Sequence, residues 1–190
     1  YEPGTEVTTF RSGDLVRLAA AIEKTATRLE TPRAGSNLPA DRVKTPYDVT
    51  VPAGGATTLW EGEGSKAICG FLVHLAADDL KAAARQIVLE MHFDGEKTVE
   101  SPLGDFFGTA PGLIPYSSLP LGITDGDPAD LYCHWWMPFE KKAVISVRNQ
   151  GDAEARIHGA VAVIPESWTE RSLHFHAKWR IEKEVPTRPM

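Results

Sequence analysis

Hydrophobic and polar residues follow two different periodicities, and the change comes near residue 47. Between residues 13 and 29, apolar residues recur every three or four positions, and charged residues occupy the positions between them. This spacing predicts one amphipathic helix over residues 13–29. Ser12 and Asp14 are candidates to cap its start. Thr31-Pro32 is expected to end it, because a residue before proline is disfavoured in the α region.

From Tyr47 onward, short apolar stretches alternate with turn residues. The predicted strands cover residues 47–51, 57–61, 66–75, 85–93, 96–100, 131–137, 142–149, 155–164 and a last stretch near 172–181. Three prolines predict a loop over residues 32–46, and residues 78–84 fit either one helical turn or a loop. This pattern predicts an all-β fold, a jelly-roll β-sandwich with one N-terminal α-helix.

The chain of 190 residues is long enough for one domain with a substantial core. We expect residues 1–46 to form the N-terminal helix and connecting loop, 47–182 the jelly-roll domain and 183–190 a C-terminal tail. The first residue is Tyr1 rather than methionine, so we expect a processed, excised or trimmed chain. The sequence predicts no compartment.

Asp94-Gly95 lies between two strand-like stretches and predicts a two-residue hairpin turn, because glycine accepts the positive φ that such a turn needs. On the preceding strand, alternation predicts that Ile87, Leu89, Met91 and Phe93 face the core, whereas Val88, Glu90, His92 and Asp94 face away. The polar set either lines a concave site or forms the solvated outer face of a sheet, and the second is the commoner arrangement.

The stretch Gly104-Asp105-Phe106-Phe107-Gly108 places two phenylalanines between glycines. These rings either fill a core or line a binding face, because a surface loop would leave them in water. Glu96 and Asp105 are candidate carboxylates for sugar recognition, since glycoside hydrolysis uses two carboxylates across a sugar. The structural alternatives are that Glu96 stabilises the hairpin turn and that Asp105 bonds loop amides.

Aromatic residues follow Cys133 in the stretch 134–139. Strand alternation allows one of Trp135 and Trp136 to point inward and the other outward. An outward indole can stack on a sugar, which makes Trp136 a candidate substrate-binding residue alongside Glu96, Asp105 and Phe106. Filling the sandwich core is the alternative.

His174 and His176 would share one face of a strand. A metal site would need a third ligand, as in a cupin-like metal enzyme, and no acidic residue follows at a suitable spacing. Hydrogen bonding at an interface with Trp179 and Arg180 is the favoured interpretation, so we predict no metal and no cofactor.

The net charge of −6 disfavours nucleic acid as a partner, and no apolar run reaches the length of a membrane span. A neutral ligand such as a sugar suits this charge better. Cys69 and Cys133, the only cysteines, are both expected to be buried and to act as small hydrophobic residues. The sequence leaves open whether a disulfide joins them.

Several stretches together resemble glycoside hydrolase family 172, and specifically its first jelly-roll half. The resemblance covers roughly residues 47–188 and is most specific at residues 104–108 and in the Met-Pro-Phe block, residues 137–139. The stretches that carry it occur in the same order in that family; they are residues 67–74, 94–96, 99–108, 136–139 and 175–180.

The resemblance implies difructose-dianhydride hydrolase (α-fructofuranosidase) or D-arabinofuranosidase relatives with two jelly rolls in one chain, assembled as trimers or hexamers. It also implies a metal-independent retaining reaction carried out by two glutamates in the second half, outside this chain, so no catalytic residue is assigned here. We therefore expect a jelly-roll part of a furanoside-processing enzyme that contributes a subunit interface and part of the sugar pocket, completed by a second jelly roll. The alternative is a non-catalytic carbohydrate-binding or oligomer-assembly jelly-roll protein.

Overall fold

Two β-sheets pack face to face in the computed structural model, which describes residue 4 and residues 9–30, 38–109 and 112–182. The strands are β1 (Val43–Val51), β2 (Ala56–Glu63), β3 (Lys66–Ala76), β4 (Ile87–Phe93), β5 (Glu96–Pro102), β6 (Tyr116–Ser117), β7 (Leu121–Ile123), β8 (Leu131–Cys133), β9 (Met137–Phe139), β10 (Lys142–Asn149), β11 (Ala155–Pro165) and β12 (Ala177–Lys178). One sheet has the order β1-β11-β3-β8-β7-β6, with β9 also paired to β3, and the other has the order β12-β5-β4-β10-β2. The predicted all-β jelly-roll sandwich is confirmed.

The N-terminal helix predicted as one element consists of two, α1 (Ser12–Arg17) and α2 (Ala19–Glu30). Leu18 separates them with φ −103° and ψ 8°, outside the α region. Asp14 caps the start as predicted, because its carboxylate accepts the backbone N–H of Arg11 at 2.9 Å. Ser12 instead lies inside α1, and the predicted end at Thr31-Pro32 falls outside the described residues.

The apolar stripe of these helices stays exposed instead of packing on the sandwich. Its four large side chains, Leu15, Leu18, Ile22 and Leu29, are all exposed. Among the described helices, none combines the length and apolar character that crossing a membrane requires.

Two short helices connect strands of the sandwich, α3 (Leu80–Gln86) and α4 (Leu103–Phe106). Asp79 caps α3 by accepting the backbone N–H of Ala82 at 2.9 Å. The stretch that fitted either a helical turn or a loop is therefore helical, and β4 begins at Ile87 rather than at residue 85.

Several predicted strand boundaries were wrong. Residues 43–46, predicted as loop, belong to β1, an edge strand that tolerates Pro46 because it pairs only with β11. The strand predicted over 131–137 is divided into β8 and β9. The short strands β6 and β7 were not predicted, and the last predicted strand reduces to Ala177–Lys178.

The hairpin between β4 and β5 forms as predicted, with φ of 52° at Asp94 and 90° at Gly95. The inward residues of β4, from Ile87 to Phe93 at alternate positions, are fully buried. Val88 departs from the prediction, because it is buried although its neighbours on that face, Glu90 and His92, are partly exposed.

Candidate functional site

The two glycines of the Gly104–Gly108 stretch are required for different structural reasons. A Cβ on Gly104 would lie 2.8 Å from the carbonyl oxygen of Thr109, just after α4, and 3.2 Å from that of Ala84 on α3, so the backbone around α4 leaves no room for a side chain there. Gly108 has a φ of 73°, which glycine adopts without strain. The stretch is therefore built to place Asp105, Phe106 and Phe107 in one fixed orientation.

The two phenylalanine rings fill the core. Phe107 is fully buried and stacks on Phe71 with ring centroids 6.0 Å apart, and Phe106 packs edge-to-face on Phe107 at 5.1 Å. Phe106 also packs edge-to-face on Phe175 at 6.4 Å. Although buried, Phe106 thus reaches the surface cleft that Phe175 helps to form.

A cleft of about 520 Å³ opens beside this stretch, and we call it the Trp179 cleft. Its volume lies in the range of small-molecule sites. Its aromatic walls come from three separate parts of the chain, α4, the segment after β8 and the segment around β12. The residues that line it are Ser101, Asp105, Phe106, Leu121, Trp135, Phe175, His176, Ala177, Lys178 and Trp179.

Asp105 lies at this cleft, and Arg85 holds its carboxylate. The Nη1 group of Arg85, on α3, donates a hydrogen bond to Oδ2 of Asp105, and the Arg85 guanidinium also lies over the Trp179 ring, 5.3 Å from its centroid. Among the described residues, the Asp105 carboxylate accepts a hydrogen bond from this guanidinium and from no loop amide, which departs from the structural alternative considered for it. One cation therefore orients both a carboxylate and an indole at the same cleft.

A bulge in the strand pairing displays both indoles after Cys133. Cys133 lies opposite Phe71 on β3, and Met137 lies opposite Ile68, so residues 134–136 face only two residues of β3. Cys133 and Met137 both face the core, so the departure from regular alternation is confined to the three unpaired residues between them. Trp135 is 43% and Trp136 is 45% exposed, so the arrangement with one indole inward, which alternation allowed, is not the one adopted.

A second cleft, of about 480 Å³, adjoins the first at Trp135, and we call it the Trp136 cleft. Trp135 lines both clefts, whereas Trp136 lines only the second. The other lining residues of the Trp136 cleft are mostly apolar, and they are Leu38, Pro39, Cys69, Leu119, Pro120 and His134.

Both cysteines are buried and free, so no disulfide joins them. They lie on different faces of the sheet, because Cys133 belongs to the core cluster and Cys69 lines the Trp136 cleft. Burial raises the pKa of the Cys133 thiol to about 12, so this thiol stays protonated at neutral pH.

The polar face of β4 is the outer face of its sheet rather than a concave site. Arg148 on β10 donates a hydrogen bond to Glu90 at 3.0 Å and lies 3.5 Å from Glu100 on β5. Lys97 lies 2.8 Å from Glu100, so four charges form one ion-pair network across three strands. Hydrogen bonding to Lys97 lowers the pKa of Glu100.

Asp94 stabilises the hairpin turn, a role that the sequence had suggested for Glu96. Its carboxylate accepts the backbone N–H groups of Glu140, Lys141 and Lys142 at 2.7–2.9 Å. Partial burial raises the pKa of Asp94, but these amides and the His174 side chain outweigh that effect, and the pKa falls to about 2. Glu96 is exposed at the start of β5, at the far end of that strand from Ser101 and the Trp179 cleft.

His174 and His176 have separate surroundings. Nε2 of His174 lies 2.8 Å from Oδ2 of Asp94, and the His174 ring packs on Trp168 at 4.8 Å, not on Trp179 or Arg180 as expected. His176 is exposed and lines the Trp179 cleft. Within the part of the chain that the structure describes, no three His, Cys, Asp or Glu side chains are grouped to hold a metal ion.

Of the four predicted substrate-binding residues, the structure brings Asp105 and Phe106 together at the Trp179 cleft. Trp136 lies at the adjoining cleft, and Glu96 lies apart from both. Sequence reasoning missed Arg85, because no local pattern links a residue on α3 to a carboxylate 20 positions later. The sequence marked Trp135 as one of two adjacent indoles that could be exposed, but its position at both clefts depends on the bulge.

Comparison with known families agrees with this architecture. The GH172 domain-like family model matches residues 42–160, more than half of the chain. The match contains every strand from β1 to β10, the Gly104–Gly108 stretch and both exposed indoles, Trp135 and Trp136. No curated protein matches the chain.

Proposed function

Because the chain belongs to the GH172 domain-like family, which relates it to the glycoside hydrolases, we propose that it is the jelly-roll part of a furanoside-processing glycoside hydrolase. In this proposal, the chain forms part of the sugar pocket at the Trp179 cleft. The observation that supports this most directly is the arrangement of Arg85, Asp105 and Trp179. It combines an oriented carboxylate with an indole that is 39% exposed.

These groups suit a neutral sugar. The faces of indole rings pack on the C–H faces of sugars, and Trp135 and Trp179 both present exposed rings at the cleft. The Asp105 carboxylate can accept hydrogen bonds from hydroxyl groups, because Arg85 occupies only Oδ2 among the hydrogen bonds of the described residues. Lys178 and His176 add polar groups at the rim.

The cleft does not by itself carry out hydrolysis in this proposal. Retaining hydrolysis needs two carboxyl groups about 5–5.5 Å apart, and Asp105 is the sole carboxylate among the described residues that line the cleft. Glu90 and Glu100 are engaged in the ion-pair network on the outer face. We therefore assign the catalytic glutamates to a second jelly roll outside this chain.

The proposal also includes assembly into a homo-oligomer, a trimer or hexamer, to which this chain contributes an interface. The exposed stripe of α1 and α2 supports this part. Helices of this length are marginal in water without tertiary packing, and an apolar stripe of four large side chains favours contact with a partner.

The second candidate function is a non-catalytic carbohydrate-binding or assembly protein on the same scaffold. The single lining carboxylate favours it, because binding needs no carboxyl pair. The two candidates differ in composition of the native particle. A second polypeptide carrying a jelly roll supports the enzyme, and a particle of this 20.8 kDa chain alone supports the binding protein.

The test of sugar binding is a titration of the full chain with methyl α-D-arabinofuranoside and methyl β-D-fructofuranoside, followed by the indole N–H signals in NMR. We expect the signals of Trp135 and Trp179 to shift, and Trp179→Ala to weaken binding about tenfold. Trp168→Ala is the matched control, because Trp168 lines neither cleft. Absence of any shift with both sugars, in a protein that melts normally, would contradict the proposal.

A further inference from the structure

Trp135 separates two clefts and belongs to both. Its indole forms a wall of the Trp179 cleft, where it lies 6.0 Å from the Phe175 ring, and it also lines the Trp136 cleft. The two clefts therefore adjoin at a shared aromatic ring.

The bulge at residues 134–136 makes this path. Regular pairing with β3 from Cys133 to Met137 would turn one of the two indoles towards the sandwich core. The extra residue exposes both, and bulges of this kind re-aim side chains next to functional sites. Two adjacent indoles that are each nearly half exposed are a poor choice for a surface that contacts only water.

The two clefts differ in chemistry. The Trp179 cleft offers Asp105, Lys178 and His176, which can orient the hydroxyl groups of a sugar. The Trp136 cleft offers the indole of Trp136 and apolar side chains such as Leu119, which can pack on a sugar face without fixing each hydroxyl. Both volumes, about 520 and 480 Å³, suit a small ring.

We propose that the Trp136 cleft is a second sugar subsite, so that the ligand is an oligosaccharide with one unit in each cleft and Trp135 between them. This rests on the proposed function, because it takes the Trp179 cleft as the first sugar site. The occupant follows from the ring that the clefts share: a sugar chain whose first unit stacks on Trp135 in the Trp179 cleft places its next unit beside the same indole, at the Trp136 cleft.

The proposal predicts that affinity depends on ligand length. The full chain is titrated by calorimetry with methyl α-D-arabinofuranoside and with a linear α-1,5-linked D-arabinofuranosyl trisaccharide. We expect the trisaccharide to bind about tenfold more tightly, since one further aromatic stacking contact contributes about that factor. Trp136→Ala is expected to remove this gain and to affect the monosaccharide much less, and Trp136→Phe to keep most of it.

Trp168→Ala is the control for the loss of a tryptophan outside both clefts, and the melting temperature of each variant shows that it is folded. Equal affinity for both ligands, or an equal loss for both in Trp136→Ala, would overturn the second subsite and leave sugar binding intact. Binding of neither ligand overturns both proposals. A native mass that falls in Trp136→Ala would show that the indoles contact another subunit, which also overturns the subsite.

Discussion

Nε2 of His174 lies 2.8 Å from the carboxylate of Asp94, although 80 positions separate the two residues in the chain. The contact joins the β4–β5 hairpin to the segment between β11 and β12. The same carboxylate binds three backbone amides after β9, so one side chain holds three segments together. The segment that it fixes continues into Phe175 and Trp179, which line the Trp179 cleft.

Replacing Asp94 with asparagine is expected to lower the free energy of unfolding by about 2 kcal/mol at pH 7, because the charge that accepts these bonds is lost. Asparagine tolerates the positive φ at this position, so the turn itself can persist. Urea denaturation measures the change. Asp125→Asn, at an exposed loop residue, is the control and should differ little from the unmodified protein.

Lowering the pH should remove the contribution of Asp94 to the free energy of unfolding within a defined pH range. The pKa of Asp94 falls from its usual 3.8 to about 2 in the folded protein, so the folded form binds a proton less readily than the unfolded form. Its stabilisation is therefore complete above about pH 4 and is lost as the pH falls towards 2. Stability measured from pH 5 to pH 2 should fall less steeply in Asp94→Asn, and parallel curves would argue against this role.

Phe107→Ala is expected to destabilise the protein by about 3–5 kcal/mol, because it empties a fully buried site between Phe71 and Phe106. Phe10→Ala makes the same chemical change at an exposed position and should shift stability by less than about 0.5 kcal/mol. Chemical denaturation of both variants gives the comparison. A shift near zero for Phe107→Ala would mean that its ring is not a core residue.

Gly104→Ala is expected to cost about 1–3 kcal/mol, because the new methyl group would press on the backbone oxygens of Thr109 and Ala84. Gly13→Ala in α1 is the matched control, since no atom lies within 4 Å of its added Cβ and alanine favours helices. Thermal melting compares the two. Sugar affinity should also fall in Gly104→Ala, because α4 carries Asp105 to the cleft. Unchanged melting would show that α4 can shift freely.

Ile22→Glu tests the interface part of the proposal by placing a charge in the centre of the exposed stripe of α2. We expect the native mass to fall towards 20.8 kDa, while the melting of the sandwich stays the same. Val16→Glu, at a position that is 83% exposed and off the stripe, is the control and should keep the native mass. A native mass that is already 20.8 kDa without substitution, or equal masses for both variants, would remove the helix from the interface.

Local patterns predicted the parts of the fold that depend on neighbouring residues. The Asp94-Gly95 turn could be predicted because the two residues that adopt positive φ angles are the turn residues themselves, and their types alone indicate the turn. The burial of alternate β4 residues was predicted because period-two alternation needs only one strand. The N-terminal apolar stripe was predicted from spacing alone, although the interruption at Leu18 was not.

The missed features depend on partners far away in the sequence. The bulge at Trp135 arises from the register against β3, more than 60 residues earlier, and no pattern within residues 131–139 reveals it. The same holds for Arg85, whose contacts with Asp105 and Trp179 form only after three segments have met. The candidate site could therefore be predicted by residue type, but not as two clefts.

The short strand β12 pairs in parallel with the outermost long strand of its sheet, Ala177 beside Val99 and Lys178 beside Glu100. It shields part of an edge whose amide and carbonyl groups would otherwise be open to pairing with another chain. A protein truncated before Ala177 would lack β12, which would leave the edge of β5 unpaired. The same truncation would remove one wall of the Trp179 cleft. Such a truncated protein should therefore aggregate more readily. A loss of sugar affinity in it could come from aggregation as well as from the missing wall, so the two causes have to be measured separately.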